Sequence, residues 1–164
     1  MLRTLAALSV AVPMAFPAAA ETGGRAVESD MATAIEAYDG GRFAEAVRAW
    51  TRAARLGNTD AMTSLANMYM RGEDVRPDIR RGVAWYREAA ARGDPVGQLN
   101  LGELYLSGLG VAKDRGRAYK WLALAGRAGN AWAADRAARL AGRMDAAERA
   151  RAERLVATWR RKAD

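Results

Sequence analysis

One offset organises this chain: residues 36 apart keep matching. Leu65, Tyr69, Gly72, Val75, Asp78, Arg81, Trp85, Ala89 and Gly93 recur as Leu101, Tyr105, Gly108, Val111, Asp114, Arg117, Trp121, Ala125 and Gly129. Identities at one spacing that include three large side chains mark a structural unit used twice, over 60–93 and 96–129. A unit of this size cannot bury its apolar face alone, so the fold must be a stack in which each unit covers its neighbour.

The residues inside the unit say what it is. Leu65/Tyr69 and Leu101/Tyr105 are spaced i,i+4 and share one face of a first helix. Gly72 and Gly108 follow that helix, where a left-handed C-terminal cap residue is expected. Val75 and Val111 offer one apolar plug per loop. Asp78 and Asp114 stand where an N-cap should open the second helix. Gly82-Tyr86-Ala89 and Ala118-Leu122-Ala125 then place small, large and small side chains on its inward face. Gly93-Asp94 and Gly129-Asn130 close each unit and cap the next.

The same triplet appears upstream as Ala46-Trp50-Ala53, 36 before Gly82. Tyr38 precedes it closely, so this unit has a shorter turn at Gly40-Gly41, with Phe43 packed beneath. Downstream, 131–142 reads as another first helix. Asp145 opens a last one, with Glu148 in capping-box spacing and an inward triplet Ala152-Val156-Trp159. The expectation is four helix pairs: 29–39/43–56, 60–71/79–92, 95–107/115–128 and 131–142/146–161. An alanine-rich composition with four prolines supports an all-α chain.

The pattern Leu101-Gly102-x-x-Tyr105-x-x-Gly108-Leu109-Gly110-Val111-x-x-Asp114-x-x-Arg117-Ala118-x-x-Trp121-x-x-x-Ala125-x-x-x-Gly129 closely resembles a Sel1-like repeat, a relative of the tetratricopeptide repeat. The preceding unit departs from it at Ala66, Glu73-Asp74 and Gly82. The last departure should weaken the helix by about 0.5–1 kcal/mol relative to Ala. The unit at 29–57 looks more like a plain tetratricopeptide repeat, and 131–161 reads as capping helices. The resemblance implies a right-handed α-solenoid of about four helix–turn–helix pairs. Its concave face would come from the first helix of each pair, serving as an adaptor for proteins or peptides.

Residues 1–20 read as an address. Arg3 makes a short positive region, 5–16 are mostly apolar, and Ala18-Ala19-Ala20 gives a small-residue cleavage site before Glu21. The apolar stretch is too short for a permanent span. The expected mature domain is 21–164, periplasmic or secreted from a bacterium, without a stable membrane span. Removing Arg3 lowers the formal charge from +7 to +6. The arginines are dispersed, which fits solvated helix faces better than a nucleic-acid surface.

Catalytic readings find little to stand on. The chain has no cysteine and no histidine, so thiol, imidazole and Cys/His zinc chemistry are closed to it. No nucleophile elbow or phosphate loop occurs. Some Sel1-like proteins are linked to β-lactam binding, but Ser-x-x-Lys and paired cysteines are absent here. Glu73-Asp74, the one adjacent acidic pair, reads as a charged turn. Trp50, Trp85 and Trp121 recur at packing positions, while Trp132 breaks the pattern. No catalytic residue, metal ligand or cofactor is assigned.

Helical phase nominates a binding face beside the inward residues: Thr63, Asn67 and Met70, their equivalents Leu99, Glu103 and Leu106, and Glu36 in the first unit. Such a mixed surface suits a short peptide. The expected function is an exported scaffold binding an envelope protein or peptide through its concave face. The basic balance supports a second reading, an accessory that binds peptidoglycan or exopolysaccharide. A carboxylate-dependent wall hydrolase is the third.

Overall fold

The computed structural model describes residues 18–72 and 76–162, with side chains from residue 22 onward. Glu73-Asp74 and Val75 lie outside the described residues, as does most of the 1–20 segment. Among the described residues there are eight helices and no strand: α1 (Ala18–Asp39), α2 (Phe43–Arg55), α3 (Thr59–Arg71), α4 (Ile79–Ala91), α5 (Pro95–Ser107), α6 (Arg115–Arg127), α7 (Ala131–Ala141) and α8 (Ala146–Ala157). Through α7 each helix packs on the next, making an all-α solenoid. α1 starts earlier than the expected residue 29: no proline interrupts 18–39, and the helix runs through Ser29-Asp30.

The expected caps form. Asp94 and Asn130 open first helices, accepting from the N–H groups of Gly97 (2.5 Å) and Ala133 (3.0 Å), and Asn58, not among the expected caps, does the same for Ala61 (2.7 Å). Asp78 and Asp114 open the second helices by accepting from Arg81 (3.0 Å) and Arg117 (2.8 Å). Gly72 and Gly108 end α3 and α5 at φ of 73° and 79°, a left-handed conformation that a Cβ would oppose. The chain then turns back the same way in both units. The Asp78 N–H donates to the Tyr69 carbonyl at 2.9 Å, and that of Asp114 to Tyr105 at 3.0 Å.

Burial follows the small–large–small pattern. Ala46, Trp50 and Ala53, then Gly82, Tyr86 and Ala89, then Ala118, Leu122 and Ala125 are all buried. In the first pair Tyr38 meets Phe43 edge-on at 5.3 Å and Trp50 at 5.6 Å. The departures of the second unit compensate one another. A Cβ on Gly102 would meet Leu122 Cγ at 2.8 Å, whereas Ala66, its equivalent, packs in a cluster with Tyr86. A Cβ on Gly82 would meet Met70 at 2.7 Å, whereas Ala118, its equivalent, belongs to a cluster that Leu106 packs against. Each unit places one glycine and one alanine across the helix–helix contact, in opposite order.

The C-terminal end differs from the expected fourth pair. α8 packs on α6 rather than on α7. Ala152 and Val156 are buried as expected, but α8 stops at Ala157, and half-buried Trp159 lies beyond it. Leu124 explains the docking. It is an apolar residue at the α6 position matching the charged Arg52 and Glu88, and it is buried. Beyond α8 the chain returns to α4. The Lys162 N–H donates to Ala91 O at 2.8 Å, and its ammonium reaches Glu88 at 2.5 Å.

Candidate functional site: a groove across the first helices

The nominated residues do not form one continuous surface. Thr63 is buried, and its hydroxyl donates to Asp60 O within its own helix at 3.0 Å. Leu99 packs against the Leu122 cluster. Leu106 serves two core clusters and borders a cleft beneath α8. Glu36 is exposed on α1 and pairs with Arg42 at 3.3 Å. Neighbouring helices draw Thr63 and Leu99 into packing, while Leu106 and Glu36 stand apart from the remaining three.

Asn67, Met70 and Glu103 do meet. With Arg71, Tyr86, Asn100, Leu104 and Ser107 they line a shallow groove of about 350 Å³ where α3 faces α5. Met70 supplies apolar wall and fills the space left by Gly82. Tyr86 rises from α4 and donates its hydroxyl to Asn67 Oδ1 at 2.5 Å. Burial pushes the Tyr86 phenol up, with Arg71 opposing, so the hydroxyl keeps its proton and stays a donor. That bond fixes the Asn67 amide and leaves its Nδ2 donors for the groove. Asn100 is fixed the opposite way: its Nδ2 donates to Val96 O at 2.9 Å, leaving Oδ1 as the acceptor.

The face continues onto α7. Arg136 grips Glu103 with two parallel bonds, Nε at 3.0 Å and Nη2 at 2.7 Å. A fork of this kind fixes both groups, and Glu103 holds Arg136 charged more firmly still. The Arg136 guanidinium also lies 5.3 Å from the ring centre of Trp132, which is 52% exposed. Trp132, the aromatic outside the repeat pattern, therefore stands on the surface next to the groove.

Asn100, Tyr86 and Arg136 were missed by sequence reasoning. The repeat period is 36 residues, but Glu103 and Arg136 are 33 apart, and so are Asn67 and Asn100. Adjacent first helices thus meet one helical turn short of the repeat period. A charge match at 33 would have been the signal.

No cluster of metal-ligating side chains occurs among the described residues. No described helix is long and apolar enough to cross a membrane.

Residues 59–94 and 95–130 each match the Sel1 repeat. A crystal structure of a Sel1 repeat protein from Oxalobacter formigenes is 32% identical, with a TM-score of 0.65 over 73% of this chain and 94% of that one. The chain belongs to the Sel1 repeat family. A protective antigen of uropathogenic Escherichia coli strains, displaying an SLR fold, superposes with a TM-score of 0.75 at 26% identity. That match covers 85% of this chain and 30% of the antigen. Helicobacter pylori cysteine rich protein B shares the fold, with a TM-score of 0.55. The chitin synthase regulator SKT5 of Saccharomyces cerevisiae is 38% identical over 87 residues, 51% of this chain and 12% of the regulator. The chain therefore spans only a small part of two of these relatives. Sel1 repeats generally act as protein–protein interaction scaffolds, and the family is typically non-enzymatic.

Proposed function

We propose that this chain is an exported scaffold that holds an extended peptide of an envelope protein in the α3–α5 groove. One observation carries the reading. Two tethered side-chain amides line the same groove, Asn67 offering N–H and Asn100 offering C=O. A peptide main chain presents the complementary pair at every residue, one acceptor and one donor. Amides already fixed by Tyr86 and by Val96 lose little further freedom on binding, which favours affinity. Met70 and Leu104 supply apolar wall, and Trp132 and Arg136 extend the surface toward a second anchor.

Site-specific photocrosslinking in cells tests this. A crosslinking residue at Ser107, an exposed member of the groove, should capture a small set of envelope proteins. The adducts should fall about tenfold when Asn67→Ala and Asn100→Ala are combined, the loss expected from two hydrogen bonds. Equal capture from exposed Arg48, on α2, would overturn the groove. Export has its own test. Residues 1–40 fused to a reporter active only outside the cytoplasm should give activity, and an inactive fusion would sink the periplasmic reading. The basic balance supports the alternative of an anionic envelope polymer. Salt-sensitive sedimentation with isolated wall material, unchanged by the paired asparagine substitutions, would favour that partner.

A further inference from the structure

Because α8 leaves α7 to dock on α6, a second cavity opens away from the groove. It is a cleft of about 1200 Å³ between α8, the end of α7 and the α5–α6 loop. Its floor is apolar, with Tyr105, Leu106 and Leu140 on the solenoid side and Leu155 on α8. Leu155 is 39% exposed, and Tyr105 and Leu140 share one core cluster, so the floor rests on rigid packing.

Cations dominate the rim. The two carboxylates that border the cleft are both engaged. Asp114 caps α6 and pairs with Arg117 at 3.3 Å, and Glu148 pairs with Arg115 at 3.5 Å. Arg115 also donates to the Arg143 carbonyl, which ties the α5–α6 loop to the turn before α8. Lys113, Arg143, Arg151 and Arg154 border the same cleft, and none makes a salt bridge among the described residues. The Glu148 N–H, and after it Arg151 and Arg115, hold the Asp145 carboxyl below its ordinary range, and Asp145 does not line the cleft. An apolar floor ringed by guanidinium groups that make no salt bridge is electrostatically complementary to an anionic ligand with an apolar anchor.

We propose that this cleft is a docking site for an acidic peptide segment with a leucine- or phenylalanine-like side chain among its carboxylates. Guanidinium forks match planar carboxylates, and three of the cations without a salt bridge are arginines. The α8 wall from Glu148 to Thr158 is about 15 Å long, the length of four to five extended residues. The anchor sits on Leu106, Leu140 and Leu155, and the flanking carboxylates meet Arg151 and Arg154 on one side and Arg143 on the other. The site shares no lining residue with the α3–α5 groove and stands independently of it.

The full chain and a short fluorescein-labelled peptide in which glutamates alternate with leucines provide the test, read by fluorescence anisotropy. The expected result is saturable binding that weakens as salt rises. It should fall about tenfold or more when Arg151→Glu and Arg154→Glu are combined, and about tenfold for Leu155→Asp. A matched pair on the far helices, Arg55→Glu with Arg87→Glu, should keep most of the affinity, and all variants should melt near the parent temperature by circular dichroism. Equal weakening by the matched pair would reduce the effect to net charge and overturn the site. Equal binding of a lysine–leucine peptide would also overturn it. So would binding to phosphatidylglycerol vesicles with none to the acidic peptide, which would assign the cleft to a lipid surface.

Discussion

Asp94 is the cap that most clearly links a residue's burial to its chemistry. Its equivalents are Asn58 and Asn130, which make the same bond without a charge. Asp94 is 8% exposed, and burial lifts its carboxyl above the ordinary range, reinforced by Asp60 and opposed by the Gly97 N–H and the Thr59 hydroxyl. The folded protein therefore holds this proton more tightly than the unfolded chain. The stability Asp94 contributes declines as pH rises from the unfolded carboxyl value through the raised folded one. Asp94→Asn should keep the cap and flatten that part of the pH profile, whereas Asp94→Ala should cost about 1 kcal/mol by losing the cap. Urea unfolding between about pH 4 and pH 7 checks both. A second contrast concerns the repeat tyrosines. Tyr105 is buried at 7% exposure, whereas Tyr69 is only half-buried, and an arginine lies over each ring. Tyr105→Ala should cost about 3–5 kcal/mol and Tyr69→Ala clearly less. Equal losses in denaturant melts would show that burial does not rank the two positions.

Between helices, the unit of design is the opposed pair of small residues. Gly82 faces Met70, and its counterpart Ala118 sits in a cluster that Leu106, the counterpart of Met70, packs against. Gly82→Ala gains helix propensity, but its new methyl meets Met70 at 2.7 Å. Overpacking of this kind commonly costs about 1–3 kcal/mol, more than the propensity gain of about 0.5–1. The single variant should therefore lose stability, and adding Met70→Leu, which gives this unit the leucine and alanine found at 106 and 118, should restore much of it. A stabilised Gly82→Ala protein would mean that Met70 yields freely. The helices, their caps and their inward faces were legible in the sequence because caps and i,i+4 pairs are local. Asn67, Met70 and Glu103 were legible through the period. The partners that complete the groove, Asn100 and Arg136, depend on how far one first helix slides along the next. No single unit encodes that slide, so it first becomes visible in the 33-residue link from Glu103 to Arg136.

At the scale of the whole molecule, the fold of the C-terminus turns on one exchange. The α6 position held by Leu124 is Arg52 in α2 and Glu88 in α4, and both of those remain in ion pairs at the surface. Leu124 instead is covered when α8 docks on α6. The capping helix was readable in advance, but its docking partner was not, since Leu124 lies off the inward triplet of α6. This makes Leu124→Glu a selective probe. Unit two already accommodates glutamate there, so the solenoid itself should tolerate the change, whereas α8 would meet a carboxylate in place of its apolar seat. The Arg115–Glu148 pair and the Lys162–Glu88 contact are partly exposed and too weak to hold α8 alone. Removing one buried leucine contact should cost about 1.5–3 kcal/mol. Hydrogen exchange read by mass spectrometry should then show α8 amides unprotected while α3 to α5 keep their protection. If α8 stays protected in Leu124→Glu, its docking rests on the tail that returns to α4, and Lys162→Ala becomes the variant that should release it.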